Sequence, residues 1–199
     1  MSGTLVHLVR HGAHDLVGRV LAGRMPGVHL SAEGRAQAAR VADALAARPL
    51  AAVVSSPQPR AHETAMVIAA RHGLDVAVEP DLDELEFGAW QGMAFDALDG
   101  RPDWQAWNRA RGLAAAPPGG EMMAHVQARA LRALLAARAR WPGAEVAMAG
   151  HQDVLRAALL GVLGASLDLF GRLALAPGGR AAVRLWADHA ELETLDNGP

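Results

Sequence analysis

Two histidines and two arginines occupy matching places along this chain. His11 and His151 each follow closely on a short apolar run and open toward a helix, and Arg10 and Arg60 stand at comparable strand-to-helix turns. A helix N-terminus presents free N–H groups and the positive end of the helix dipole, so a site assembled from such turns favours an anion. Two guanidiniums point to phosphate, because arginine donors fit its oxygens in bidentate fashion. Composition narrows the chemistry further. The 199 residues contain no Cys, Lys or Tyr, and all 19 basic side chains are Arg. That excludes disulfides, thiolate zinc sites, a cysteine nucleophile, a Schiff-base lysine and a P-loop lysine. A covalent catalyst built on this chain therefore uses His, Ser, Thr, Asp or Glu.

The elements that must position these groups can be read from periodicity. Thr4–Val9 is a β-rich run delivering Arg10-His11-Gly12 at its C-terminal edge, where open α/β sheets bind ligands. Ser31 is a good N-cap, and Ala38, Val41, Ala42 and Leu45 at i, i+3, i+4 and i+7 predict a helix to about Ala47. Leu50–Val54 reads as a second buried strand. After Ser55-Ser56-Pro57, a helix with Pro59 in its first turn runs to a glycine C-cap at Gly73. Asp75–Glu79 is a third strand candidate, Glu121–Arg140 a long helix and Glu145–Ala149 a fourth strand. Gly150-His151 then turns into a helix through Leu155 to Leu163, and short strand candidates follow at Leu173–Ala176, Ala181–Trp186 and Glu191–Leu195. This alternation predicts an α/β fold, a three-layer α/β/α sandwich with a mostly parallel central sheet and an antiparallel edge from the tail strands. We read residues 1–199 as a single domain with an insertion at about 80–120, lid-like over the sheet edge. That segment is rich in Gly and Pro and holds Trp90, Trp104 and Trp107, read as core or lid packing.

Four segments carry a resemblance. Leu8-Val9-Arg10-His11-Gly12, Ser55 through Ala65, Glu84 through Gly92 and Gly150-His151 resemble, in order and spacing, the successive motifs of the histidine phosphatase superfamily, also called the phosphoglycerate mutase-like family. The resemblance spans residue 4 to about residue 186 and points to the phosphatase branch. It implies that His11 is the nucleophile, forming a phosphohistidine, and that Arg10, Arg60 and His151 bind the transferring phosphoryl group. It also implies that Glu84 is the general acid, with Glu86 ranked second. No cofactor and no metal are expected.

The chain departs from the family pattern after Gly12, where Ala13, His14 and Val17 replace an acidic residue or Gln, a Thr or Ser, and a phosphate-binding Asn. Gln152 follows His151 where Gly is usual, and Met122 stands where a Ser usually follows the Glu of the Pro117–Glu121 segment. His14 is then a candidate to replace the missing contacts. A zinc reading fails on geometry: His7 and His11 have i, i+4 spacing, but on a strand they lie about 13 Å apart. His7, His29, His62, His72, His125 and His189 read as structural. The expected function is a metal-independent phosphomonoesterase acting on a small phosphorylated substrate. A mutase is the alternative, disfavoured by the short segment from Gly92 to Glu121, and a non-catalytic phosphate-binding module is the other. The net charge of -2 offers nothing to nucleic acid or an acidic membrane. No apolar run approaches a membrane span, and the N-terminal apolar segment is too short for a secretory signal, so a cytoplasmic location is expected.

Overall fold

The apolar run after the first residues becomes the central strand of a six-stranded sheet in the computed structural model, which describes residues 2–198. The strands are β1 (Thr4–Arg10), β2 (Leu50–Ser55), β3 (Val76–Val78), β4 (Glu145–Gly150), β5 (Arg180–Leu185) and β6 (Ala190–Asp196), in spatial order β3-β2-β4-β1-β5-β6. The first four in that order are parallel, and β5 and β6 add an antiparallel hairpin to the edge. The sheet is covered on both faces, which explains why β1, β2 and β4 read as nearly continuous apolar runs. Alternate residues serve opposite sides. Val6, Leu8, Val146 and Met148 face one core, while Val9, Val53, Ala147 and Ala149 face another.

The second of these cores is closed by α1 (Ala32–Leu45) and α2 (Pro59–His72), packed through Val41, Ala42, Leu45, Ala65 and Ile68. The boundaries follow the expected signals. The Ser31 hydroxyl accepts from Gly34 N–H, and Gly73 ends α2 in the left-handed region at φ 64°. On the other face lie α5 (Met123–Arg140) and α6 (Gln152–Val162), with α3 (Phe95–Asp99) and α4 (Pro102–Arg109) from the segment at 80–120. That segment packs as core. Trp90 and Trp107 are fully buried, and Trp90 meets Trp104 edge-on at 5.4 Å. Helices of five and eight residues are too short to show a helical period, so the sequence pattern does not mark them.

One expected strand does not form. Leu173–Ala176 is irregular, because it runs past the edge of the site and Leu175 O accepts from Arg10 Nη1 at 2.7 Å instead of joining a ladder. α5 also begins two residues later than expected, since Glu121 N–H donates to Glu86 O and its carboxylate is engaged elsewhere.

Candidate active site

Register decides how the site forms. β1 and β4 are parallel neighbours with Arg10 opposite Gly150, so the next residue of each, His11 and His151, emerges at the same sheet edge. His11 N–H donates to Gly150 O at 3.0 Å, and the two rings lie 5.1 Å apart at 62°. β2 flanks β4 on its other side, and α2, starting at Pro59, carries Arg60 inward in its first turn.

The loop after β1 is held by close backbone packing. A Cβ on Gly12 would sit 2.2 Å from Gly34 O, and one on Gly34 would sit 1.9 Å from Ala13 O. Gly12 N–H donates to Thr64 Oγ1 and Ala13 N–H to Gln37 Oε1. Backbone cannot yield as a flexible side chain would. Gly34→Ala should therefore cost about 3 kcal/mol, lowering the thermal midpoint by about 6–12 °C for a chain of this size. A melting curve unchanged from wild type would refute the contact.

Hydrogen bonding sets the histidine tautomers. His11 Nδ1 lies 2.7 Å from Gly12 O, which can only accept, so Nδ1 carries the proton and Nε2 holds the lone pair. Arg60 Nε donates to that Nε2 at 3.3 Å. Arg60 Nη2 bonds Gly23 O at 2.7 Å and His151 Nδ1 at 3.2 Å. Because arginine only donates, His151 Nδ1 is the acceptor, and its Nε2–H meets Ser56 Oγ at 2.7 Å. Burial, then the charges of Arg60 and neighbouring groups, holds both imidazoles well below the ordinary range, hence neutral at pH 7.

Arg10 reaches Gln152 Oε1 at 2.5 Å as well as Leu175 O. Two buried guanidinium donors, Arg10 Nε and Arg60 Nη1, meet no protein acceptor among the described residues. Buried donors of this kind are costly unless paired, and an anion with several oxygens satisfies both.

Glu84 completes the group, with Oε2 3.7 Å from His151 Nδ1 and Oε1 accepting from Leu85 N–H. Burial, with the Asp153 charge next, raises its carboxyl to about 7. Its backbone is clamped by residues that sequence reading missed. Arg129, buried on α5, donates to Asp81 O, Asp83 O and Glu84 O while pairing with Glu121 at 2.8 Å. Arg24 also donates to Glu84 O at 2.7 Å and shares Glu121 Oε2 with Arg129. In an arginine-rich chain no local signal marks these two, since their acceptors are distant carbonyls. His14, the proposed substitute for the absent family contacts, does line the cleft, its ring 5.5 Å from that of His11. Burial first, then Arg60 and Arg10, lowers it to about 4. His7, read as structural, bonds Glu145 at the start of β4 at 2.9 Å, away from the C-terminal sheet edge where the site lies. All five candidate residues, Arg10, His11, Arg60, Glu84 and His151, line or border one cleft. Among the described residues, no group of three His, Asp or Glu could hold a metal ion. No helix among them is long and apolar enough to cross a membrane.

The family model described as histidine phosphatase superfamily (branch 1) matches residues 6–198. The chain belongs to the histidine phosphatase superfamily. Relatives of this histidine phosphatase include the uncharacterized protein Rv0525 of Mycobacterium tuberculosis, 46% identical over 151 residues, covering 75% of this chain and 73% of that one. The glucosyl-3-phosphoglycerate phosphatase of the same organism is 31% identical over 200 residues, covering 94% and 89%. Among solved structures, mycobacterial glucosyl-3-phosphoglycerate phosphatase Rv2419c superposes with a TM-score of 0.88 at 25% identity, covering 98% and 99% of the two chains. YhfR of Bacillus stearothermophilus gives 0.90 at 26% identity, with 98% of each covered.

Proposed function

We propose that this histidine phosphatase is a metal-independent phosphomonoesterase that works through a phosphohistidine at His11. The observation that carries this reading is the fixed tautomer of His11. Its Nδ1 proton is committed to Gly12 O, leaving the Nε2 lone pair turned toward Arg60 and the cleft. In the first step Nε2 attacks phosphorus, the bond from phosphorus to the ester oxygen breaks, and Glu84 gives its proton to the departing alkoxide. In the second, water attacks the phosphohistidine as the Glu84 carboxylate takes its proton, and inorganic phosphate leaves. Arg10, Arg60 and His151 bind the phosphoryl oxygens and stabilise the charge that develops on them. The permanent charges supply what a metal supplies elsewhere.

The relatives' names support phosphate-ester hydrolysis and bring glucosyl-3-phosphoglycerate into the range of small phosphorylated substrates to be tried. Purified protein should hydrolyse 4-nitrophenyl phosphate at a rate unchanged by excess chelator. Loss of activity in chelator, restored by a divalent ion, would overturn metal independence. An isomerised product in place of free phosphate would show a mutase, and phosphate binding without turnover of any ester would show a binding module.

A further inference from the structure

Beyond the phosphoryl pocket the cleft changes character. Its wall is Val17, Val20, Leu21, Phe87 and Phe95, with Val17 36% exposed at the mouth. The cationic side chains lining it are Arg10 and Arg60, and both are committed to the phosphoryl end by their bonds to Gln152, Leu175, Gly23 and the two histidines. Other arginines on the loop that forms this wall are turned away. Arg19 donates through Nε and Nη2 to its own loop at Asp15 O, and Arg24 is spent on Glu84 O and the carboxylates of Asp83 and Glu121. Besides Glu84, the other charged group lining the cleft is also acidic, Asp153, near enough to Glu84 and Arg10 for its charge to act on both. It pairs with Arg111 at 2.8 Å, but Arg111 itself does not line the cleft; it is held between the rings of Trp107 and Phe170. His14 is neutral at pH 7 and adds no cation.

We infer, resting on the phosphatase reading above, that the substrate is a phosphate monoester of an uncharged, largely apolar alcohol, and that esters bearing a carboxylate near the leaving oxygen are selected against. A carboxylate bound here would lose its water with no cation to replace it and would face Asp153, whereas an apolar group would be received by Val20, Phe87 and Phe95.

The test compares kcat/KM for three esters whose leaving groups are all aliphatic alkoxides: 2-phenylethyl phosphate, 3-phosphoglycerate and the methyl ester of 3-phosphoglycerate. The methyl ester removes the carboxylate charge and adds one methyl group, whose burial is worth about fourfold at most. It should exceed the free acid by about tenfold or more, the scale of one unfavourable desolvated charge, and 2-phenylethyl phosphate should exceed both. Val17→Arg places a cation on the cleft wall, and it should close most of the gap between the free acid and its methyl ester. Equal rates for acid and methyl ester, or a preference for the acid, overturn the inference while leaving the phosphatase reading in place. Absence of hydrolysis of all three esters and of 4-nitrophenyl phosphate overturns both.

Discussion

His11→Ala should retain phosphate binding and lose turnover of every ester, with kcat down by about 10⁴-fold or more, as expected when the group that forms the covalent intermediate is removed. Arg10, Arg60 and His151 remain in the variant, so phosphate should still protect it against thermal unfolding. Brief acid-free quenching of wild type with labelled ester should trap label on protein, and the variant should trap none. Wild-type rates in the variant would eliminate His11 as nucleophile. A second signature lies in stability. In the folded state His11 and His151 are held well below 6.5, so below that pH the unfolded chain binds more protons than the folded one. Their contribution is present above about pH 6.5 and is lost as pH falls toward the depressed values. His11→Ala should therefore flatten the acid side of the stability profile, read from denaturant midpoints at several pH values.

Glu84 carries the other large effect. A carboxyl raised to about 7 is a proton donor at neutral pH, and kcat/KM for an alkyl phosphate should fall about tenfold per pH unit above that value. Glu84→Gln should lower kcat/KM for alkyl esters by about 10²–10⁴-fold. The same substitution should barely change kcat/KM for 4-nitrophenyl phosphate, whose leaving oxygen needs no proton. Release of the phosphoryl group from His11 still requires the Glu84 carboxylate as base, so that substrate should give a burst of nitrophenol and then a slow steady state. An equal loss in kcat/KM for both esters would assign Glu84 a structural role. Asp153 raises the Glu84 carboxyl by its charge, so Asp153→Asn should move the alkaline limb to lower pH. The opposite shift would show that Asp153 acts on Glu84 by some other route.

Much of this architecture was legible because local physics encodes it. The Ser31 cap, the apolar stripe through Ala38, Val41, Ala42 and Leu45, Pro59 in the first turn of α2 and Gly73 at its end each depend on neighbours a few residues away. The strand-to-helix turn after β4 is marked in the same way, but β1 does not open onto a helix as expected: residues 11–31 form a loop before α1, so no helix N-terminus faces His11 from its own strand. Leu173–Ala176 was misread because a short apolar run next to a sheet satisfies the strand pattern whether or not a ladder is there to receive it. The two helices within 80–120 were not anticipated because their five and eight residues rest on tryptophan packing and not on periodicity.

By itself the sequence determined the inventory of chemistry: with Cys, Lys and Tyr absent, it limited the nucleophile to a short set, and the resemblance to the family's motifs pointed to His11, Arg10, Arg60, Glu84 and His151. It could not say that β4 lies beside β1, because more than a hundred residues separate the two strands in the chain. Only that pairing makes His11 and His151 neighbours. Tertiary structure alone also decided the state of each group. The Gly12 carbonyl selects the His11 tautomer, Arg129 and Arg24 fix the backbone of Glu84, and burial beside Asp153 raises the Glu84 carboxyl to about 7. The reason is common to all three: proton affinity and orientation are set by the field and the hydrogen bonds around a side chain, and these come from residues distant in sequence.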